Sequence, residues 1–122
     1  MKYKTIQVEN KKGVLSIHLN CPEIKNAFAP EMIHELKEAL TLERKATLSC
    51  VTLTGAGDTF SAGADLKWMK RSLEFTREEN TQDTLSLYEL FELIDTYPVP
   101  VIACVQRFVL GGGVGLISAC DY

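Results

Sequence analysis

Apolar and polar residues alternate from Tyr3 to Glu9 and again from Val14 to Asn20, on either side of Asn10-Lys11-Lys12-Gly13. A period of two interrupted by a lysine-glycine turn predicts a β-hairpin with one buried face. After Cys21-Pro22 the period changes. Met32, Ile33, Leu36, Ala39 and Leu40 keep the i, i+3, i+4 spacing of a helix, and Pro30 stands where a first turn tolerates it. Leu48 to Thr54 then reads as a buried strand, and Leu87, Leu90, Phe91 and Ile94 form a second helical stripe that stops at Tyr97-Pro98. Val101 to Val105 predicts another strand, with Phe108 to Leu110 as a short edge piece after it. Ser72 to Thr84, the most polar stretch, reads either as a mobile lid or as the solvated start of a helix.

Alternating strands and helices of this kind predict a layered α/β domain with crossover connections. Periodicity alone suits a doubly wound sheet equally well. At two places a strand pattern stops at small residues and a helical pattern follows. The first runs from Gly55-Ala56-Gly57-Asp58 through Phe60-Ser61-Ala62-Gly63 to a helix opening at Ala64 to Met69; the second is Gly111-Gly112-Gly113 before Val114 to Cys120. The first N–H groups of a helix lack an intrahelical acceptor and lie at the positive end of its dipole. Such turns serve either tight packing or the binding of an anion, and two of them facing one oxygen would form an oxyanion hole.

Three separated motifs, KNAF at Lys25 to Phe28, FSAGADL at Phe60 to Leu66, and PVIA at Pro100 to Ala103 followed by GGG and ACD, occur in an order that resembles the enoyl-CoA hydratase/isomerase (crotonase) family. The resemblance runs from about Gly13 to the last residue. Within the family, GADLKWM and the VQ before GGGVGLISACD look most like the methylglutaconyl-CoA and carboxygeranoyl-CoA hydratase branch. The resemblance implies an α/β fold of repeated ββα turns in a spiral, with residues 1–122 as a partial domain truncated to the N-terminal half. It also implies a coenzyme A thioester as substrate, no separate cofactor or metal, and a homo-oligomer, a trimer or hexamer.

For particular residues, the resemblance implies that the backbone N–H groups of Ala64 and Gly112 face the thioester oxygen of an acyl-CoA. It assigns Lys25, Ala27, Ala62, Asp65, Leu66 and Lys67 to the turns that line the coenzyme. For Lys25 and Lys67 a solvated surface role stands beside a phosphate contact. Trp68 reads as packed beneath the loop. The two glutamates that the family uses for proton transfer are not found here. The first belongs at Gly115, and the second belongs beyond Asp121, which itself reads as a structural carboxylate. Gln106-Arg107 replaces an Asn-Gly pair, so a left-handed backbone at Arg107 would carry strain, and Val109 replaces a small residue, narrowing the second turn. The reading is thus an acyl-CoA hydratase, with a non-catalytic acyl-CoA-binding or self-associating fragment as the alternative.

Composition removes other classes. Among the 122 residues, 46% are hydrophobic and 24% charged, ordinary values for a folded domain. A net charge of −3 without a basic cluster argues against nucleic acid as a partner. No apolar run approaches the roughly 20 residues of a membrane span, and the first residues have no signal-like apolar core, so a cytoplasmic protein is expected. Cys21, Cys50, Cys104 and Cys120 are widely spaced, without a C-x-x-C or a neighbouring histidine, and are expected to be reduced, mostly buried thiols. His18 reads as a strand-face residue and His34 as a helix-surface one.

Overall fold

The computed structural model describes residues 3–122. Strands β1 (Ile6–Lys11) and β2 (Val14–Leu19) form the antiparallel hairpin, joined by Lys12 and Gly13, both in the left-handed region at φ 52° and 81°. Two consecutive positive φ values are what a tight hairpin turn requires, and they set the register Lys11 to Val14. Alternation in β2 buries Leu15, Ile17 and Leu19 on one face. On the other face the Thr54 hydroxyl meets His18 Nδ1.

Helix α1 (Pro30–Leu42) carries the chain to β3 (Cys50–Gly55), which pairs in parallel with β2. Its stripe of Met32, Ile33, Leu36, Ala39 and Leu40 is buried against the sheet, and His34 is left on the surface. Helices α2 (Leu66–Ser72) and α3 (Arg77–Asp95) make the second crossover, and β4 (Val101–Ala103) pairs in parallel with β3. The sheet order is β1-β2-β3-β4, and α4 (Gly112–Ala119) follows. Helix α3 ties back to α1 where the Tyr97 hydroxyl, just past its end, donates to the Leu40 carbonyl at 2.7 Å.

The structure corrects several expectations. Of the two readings open for Ser72 to Thr84, the structure shows the helix start: Ser72 ends α2, and α3 begins at Arg77, where Thr76 and Glu79 form a reciprocal capping box. Its polar residues are the solvated first turns of a long helix. Strand β4 stops at Ala103, because the chain then turns away through Arg107 at φ 48°, the strained left-handed position anticipated there. Val109 keeps only an isolated bridge to Ser61. All four cysteines are free, but none is fully buried: Cys21, Cys50 and Cys120 are half-buried and Cys104, just past the end of β4, is exposed. Burial, reinforced by Asp121, pushes the Cys120 thiol up to about 11, and burial with Glu23 raises Cys21. Iodoacetamide at neutral pH should therefore label Cys104 well before Cys120, as read by peptide mass mapping. Comparable labelling of the two would contradict this packing. Asp121 is structural as expected: its carboxylate accepts from Val101 N at 2.8 Å.

Glu35 lies on the buried face of α1 at 7% exposure. Its carboxylate accepts from Lys4 N and Thr5 N, each at 2.8 Å, and from the Thr5 hydroxyl, which fixes the lead-in to β1. Burial by itself would raise its pKa, but the Thr5 hydroxyl and the two backbone amides together outweigh that and hold it below its ordinary 4.5. A depressed folded pKa means that this stabilisation is complete above about pH 4.5 and is lost as pH falls through the lower folded value. Urea unfolding between about pH 5 and pH 3 should thus show a steeper loss for the native chain than for Glu35→Gln. Parallel curves would remove Glu35 from the acid transition.

Candidate functional site

The carboxyl ends of β3 and β4 open into two loops, and a third turn, Lys25 to Phe28, packs against the first of them. Asn26 is the hub. It is fully buried, at φ 53°, and its side-chain oxygen accepts from Cys21 N at 2.8 Å. Its amide nitrogen donates to the Ala56 and Thr59 carbonyls at 2.9 and 2.8 Å, so one side chain holds the entrance of the β3 loop. The Ser61 hydroxyl, also buried, donates to the Asn26 carbonyl at 3.0 Å and accepts from Gly63 N at 3.2 Å. Neither role was legible from local sequence, because the partners lie 30 to 35 residues away.

Backbone pairs complete the junction. Ala62 N donates to the Lys25 carbonyl at 2.9 Å, Phe28 N to Gly63 at 2.6 Å, and Asp65 N to Phe28 at 2.6 Å. On the other side Phe60 N donates to Phe108 at 3.1 Å and Leu110 N to Ser61 at 3.0 Å. Gly63, at φ 91°, stands so close to the second loop that a Cβ there would lie 2.8 Å from Leu110 O and 3.0 Å from Gly112 N. Only a glycine allows both that backbone and that approach. The two turns are therefore in direct contact at Gly63 and Gly112.

Within this junction most amides are spoken for, including Gly113 N to Leu110 O at 2.9 Å and Val114 N to Gly111 O at 3.0 Å. Among the described residues no protein acceptor faces the N–H of Ala64 or of Gly112. Both residues are half-buried. An open cavity of about 210 Å³ reaches Ala64 and runs between α2 and α3 past Trp68, Met69, Asp83 and Leu87. Two larger grooves do not reach Ala64: one of about 700 Å³ lies among Pro30, Trp68, Arg71 and the first turns of α3, and one of about 740 Å³ lies along α3 from Arg77 to Tyr88.

The structure gathers Lys25, Ala27, Ala62 and Ala64 at the junction. Asp65 caps α2, its carboxylate accepting from Trp68 N at 3.3 Å. Leu66, 77% exposed, and Lys67 stand on the outer surface beside that cap. Trp68 is buried beneath the loop, and its indole N–H donates to Asp83 at 2.9 Å. At Gly115, an added Cβ would come within 3.0 Å of the Phe91 ring, so the position where a glutamate was sought is closed over by an aromatic. Val109 crowds the second turn as anticipated, its Cγ1 lying 3.2 Å from where a Cβ on Gly113 would stand. No group of three or more metal-ligating side chains occurs among the described residues, and no described helix is long and apolar enough to cross a membrane.

Parallel pairing of β2, β3 and β4, with two helix-opening turns in contact at the carboxyl edge, defines a layered α/β domain. Within that class the chain belongs to the enoyl-CoA hydratase/isomerase family, whose model matches residues 9–122. It is 45% identical over 117 residues to a provisionally named enoyl-CoA hydratase of Thermus thermophilus, covering 95% of this chain and 46% of that one. It is 35% identical to the hydroxycinnamoyl-CoA hydratase-lyase of Pseudomonas fluorescens, covering 98% of this chain and 45% of the relative. The crystal structure of an enoyl-CoA hydratase from Shewanella pealeana superposes with a TM-score of 0.94 at 32% identity, over 98% of this chain and 46% of that one. The chain has the crotonase fold and spans somewhat under half the length of these relatives.

Proposed function

We propose that the chain carries the thioester-binding site of an acyl-CoA hydratase. In the proposed reaction water adds across the double bond of an enoyl-CoA: its oxygen bonds to the β-carbon and the π electrons move onto the thioester oxygen. The attacking water gives up one proton as it bonds, and a proton taken up by the α-carbon, as the electrons return from the oxygen and the C=O re-forms, completes the hydroxyacyl product. The Ala64 and Gly112 amides hold the enolate oxygen, and losing one such donor costs about 2.7–4 kcal/mol of barrier stabilisation. The observation that carries this reading is the pair of acceptor-less amides on turns that touch at Gly63. The family membership supports it. On this reading Lys25 and Lys67, both exposed, meet phosphates of the coenzyme, and Ala27, Ala62, Asp65 and Leu66 line its path.

A second reading, acyl-CoA binding without turnover, is favoured by Gly115, which offers no proton-transfer group and is covered by Phe91. On that reading the exposed Val105, Phe108, Leu110 and Val114 support self-association, and a mass that stays monomeric in light scattering at every concentration would count against it.

Crotonyl-CoA tests both readings. Hydrogen bonds to its carbonyl draw electron density toward oxygen and red-shift the conjugated thioester absorbance on binding. Proline is favoured at a first helical position, and Gly112 N has no protein bond to lose, so Gly112→Pro should abolish most of the shift while free CoA still binds. A shift unchanged in that variant would sink the amide assignment. Loss of the band with time reports hydration, whereas a shifted band that persists selects the binding-only reading.

A further inference from the structure

The cavity that reaches Ala64 has an uneven polar lining. Its walls are Ala64, Trp68, Met69 and Leu87, and its polar residues are Ser72, Asn80, Asp83 and Thr84. Asn80, Asp83, Thr84 and Leu87 follow the i, i+3, i+4, i+7 rule, so they form one face of α3 turned toward α2. Most of the donors on this lining are already committed. Trp68 Nε1 donates to Asp83 Oδ2 at 2.9 Å, the Ser72 hydroxyl to Met69 O at 2.6 Å, and the Thr84 hydroxyl to Asn80 O at 3.0 Å. Asn80 Nδ2 spends one of its two N–H groups on Ser72 O at 3.2 Å.

The acceptors are left over. Asp83 Oδ1 and Asn80 Oδ1 receive no hydrogen bond among the described residues, and no described cation pairs with Asp83. Asp83 stands in the wall between this cavity and the outer groove lined by Arg71 and Arg77. A carboxylate held in place by an indole, in a pocket where most donors are spent and one Asn80 N–H is left over, attracts a hydrogen-bond donor and repels another anion.

We propose that the cavity between α2 and α3 selects acyl groups that end in a hydrogen-bond donor, a hydroxyl or an amide, with Asp83 and Asn80 as the recognising residues. At about 210 Å³ it lies below the roughly 300–1,000 Å³ of a drug-sized ligand site, so the acyl group is short. A distal carboxylate is disfavoured. This argues against the methylglutaconyl-type substrate suggested by the likeness of GADLKWM, whose acyl chain ends in a carboxylate. The inference rests on the reading of Ala64 as part of a thioester site, and the test separates the two.

Trp68, the single tryptophan, donates to Asp83 and reports occupancy by its fluorescence. The chain is titrated with CoA, butyryl-CoA, ω-hydroxybutyryl-CoA and glutaryl-CoA, with calorimetry as a second readout. Binding of ω-hydroxybutyryl-CoA should be about tenfold tighter than that of butyryl-CoA, and glutaryl-CoA should bind about tenfold or more weakly than butyryl-CoA. Asp83→Asn keeps an acceptor for the indole and removes the charge, so it should erase the discrimination against glutaryl-CoA. Asn80→Ala should reduce the preference for the hydroxyl without admitting the carboxylate. If CoA and all three thioesters fail to bind, the thioester reading falls and the inference with it. If they bind with equal affinity, or if glutaryl-CoA binds best, the inference alone is overturned. Thermal melts of both variants show whether each is folded during the titrations.

Discussion

Asn26→Asp should unfold at least about 10 °C below the native chain, although it changes one amide group for one oxygen. In the native chain the amide nitrogen donates to two backbone carbonyls, Ala56 and Thr59, and the amide oxygen accepts from Cys21 N. A carboxylate in that place is acceptor-only and presents an anion to two carbonyl oxygens. Each buried group left without its partner costs about 1–3 kcal/mol, so the total is about 3–5 kcal/mol. That is a large part of the 5–15 kcal/mol typical of a domain. At this size each kcal/mol moves the midpoint by about 3–5 °C. Asn26→Ala should be milder than Asp, because it removes the donor without adding repulsion. A melt of Asn26→Asp within a few degrees of native would mean that the loops hold without this hub.

Asn26 also shows where sequence reading ran out. The hairpin was legible because its alternation and its lysine-glycine turn are local, and α1 because its apolar stripe faces the sheet along its whole length. Helix α3 was legible only in its second half. Its buried residues are Leu90 and Ile94, so the first turns carry no apolar period, and the signal that announces them is the Thr76 to Glu79 capping box. β4 was read two residues too long, since Cys104 and Val105 are apolar in sequence yet lie where the chain leaves the sheet toward Arg107. In the site, the small residues of FSAGADL and GGG marked the helix-opening turns. What they could not mark is which residues lock the turns to each other. Asn26 and Ser61 do so through bonds that span 30 to 35 residues, and the acceptor face of α3 depends on which donors α2 happens to use.

Gly63→Ala should damage the site and the fold together, whereas Gly112→Ala should damage neither greatly. At Gly63 the backbone is at φ 91°, a conformation L residues rarely adopt, and the new methyl would press on the backbone of the second loop, 2.8 Å from Leu110 O and 3.0 Å from Gly112 N. Backbone strain of this kind costs about 1–3 kcal/mol, and overpacking against atoms that cannot rotate away adds about 1–3 kcal/mol. The expected loss is therefore about 2–6 kcal/mol, relieved only by moving residues 108–112 away from Gly63. That movement would separate the Ala64 and Gly112 amides, so the variant should lose the red shift of bound crotonyl-CoA even at temperatures where it is folded. At Gly112 an added Cβ meets the Phe28 ring at 3.5 Å, an ordinary contact, and the N–H remains. Its melt and its spectral shift should both stay near native. If Gly63→Ala keeps the native melt and the full shift, the two turns do not depend on the contact at Gly63, and the convergence of their amides on one oxygen would have to be abandoned.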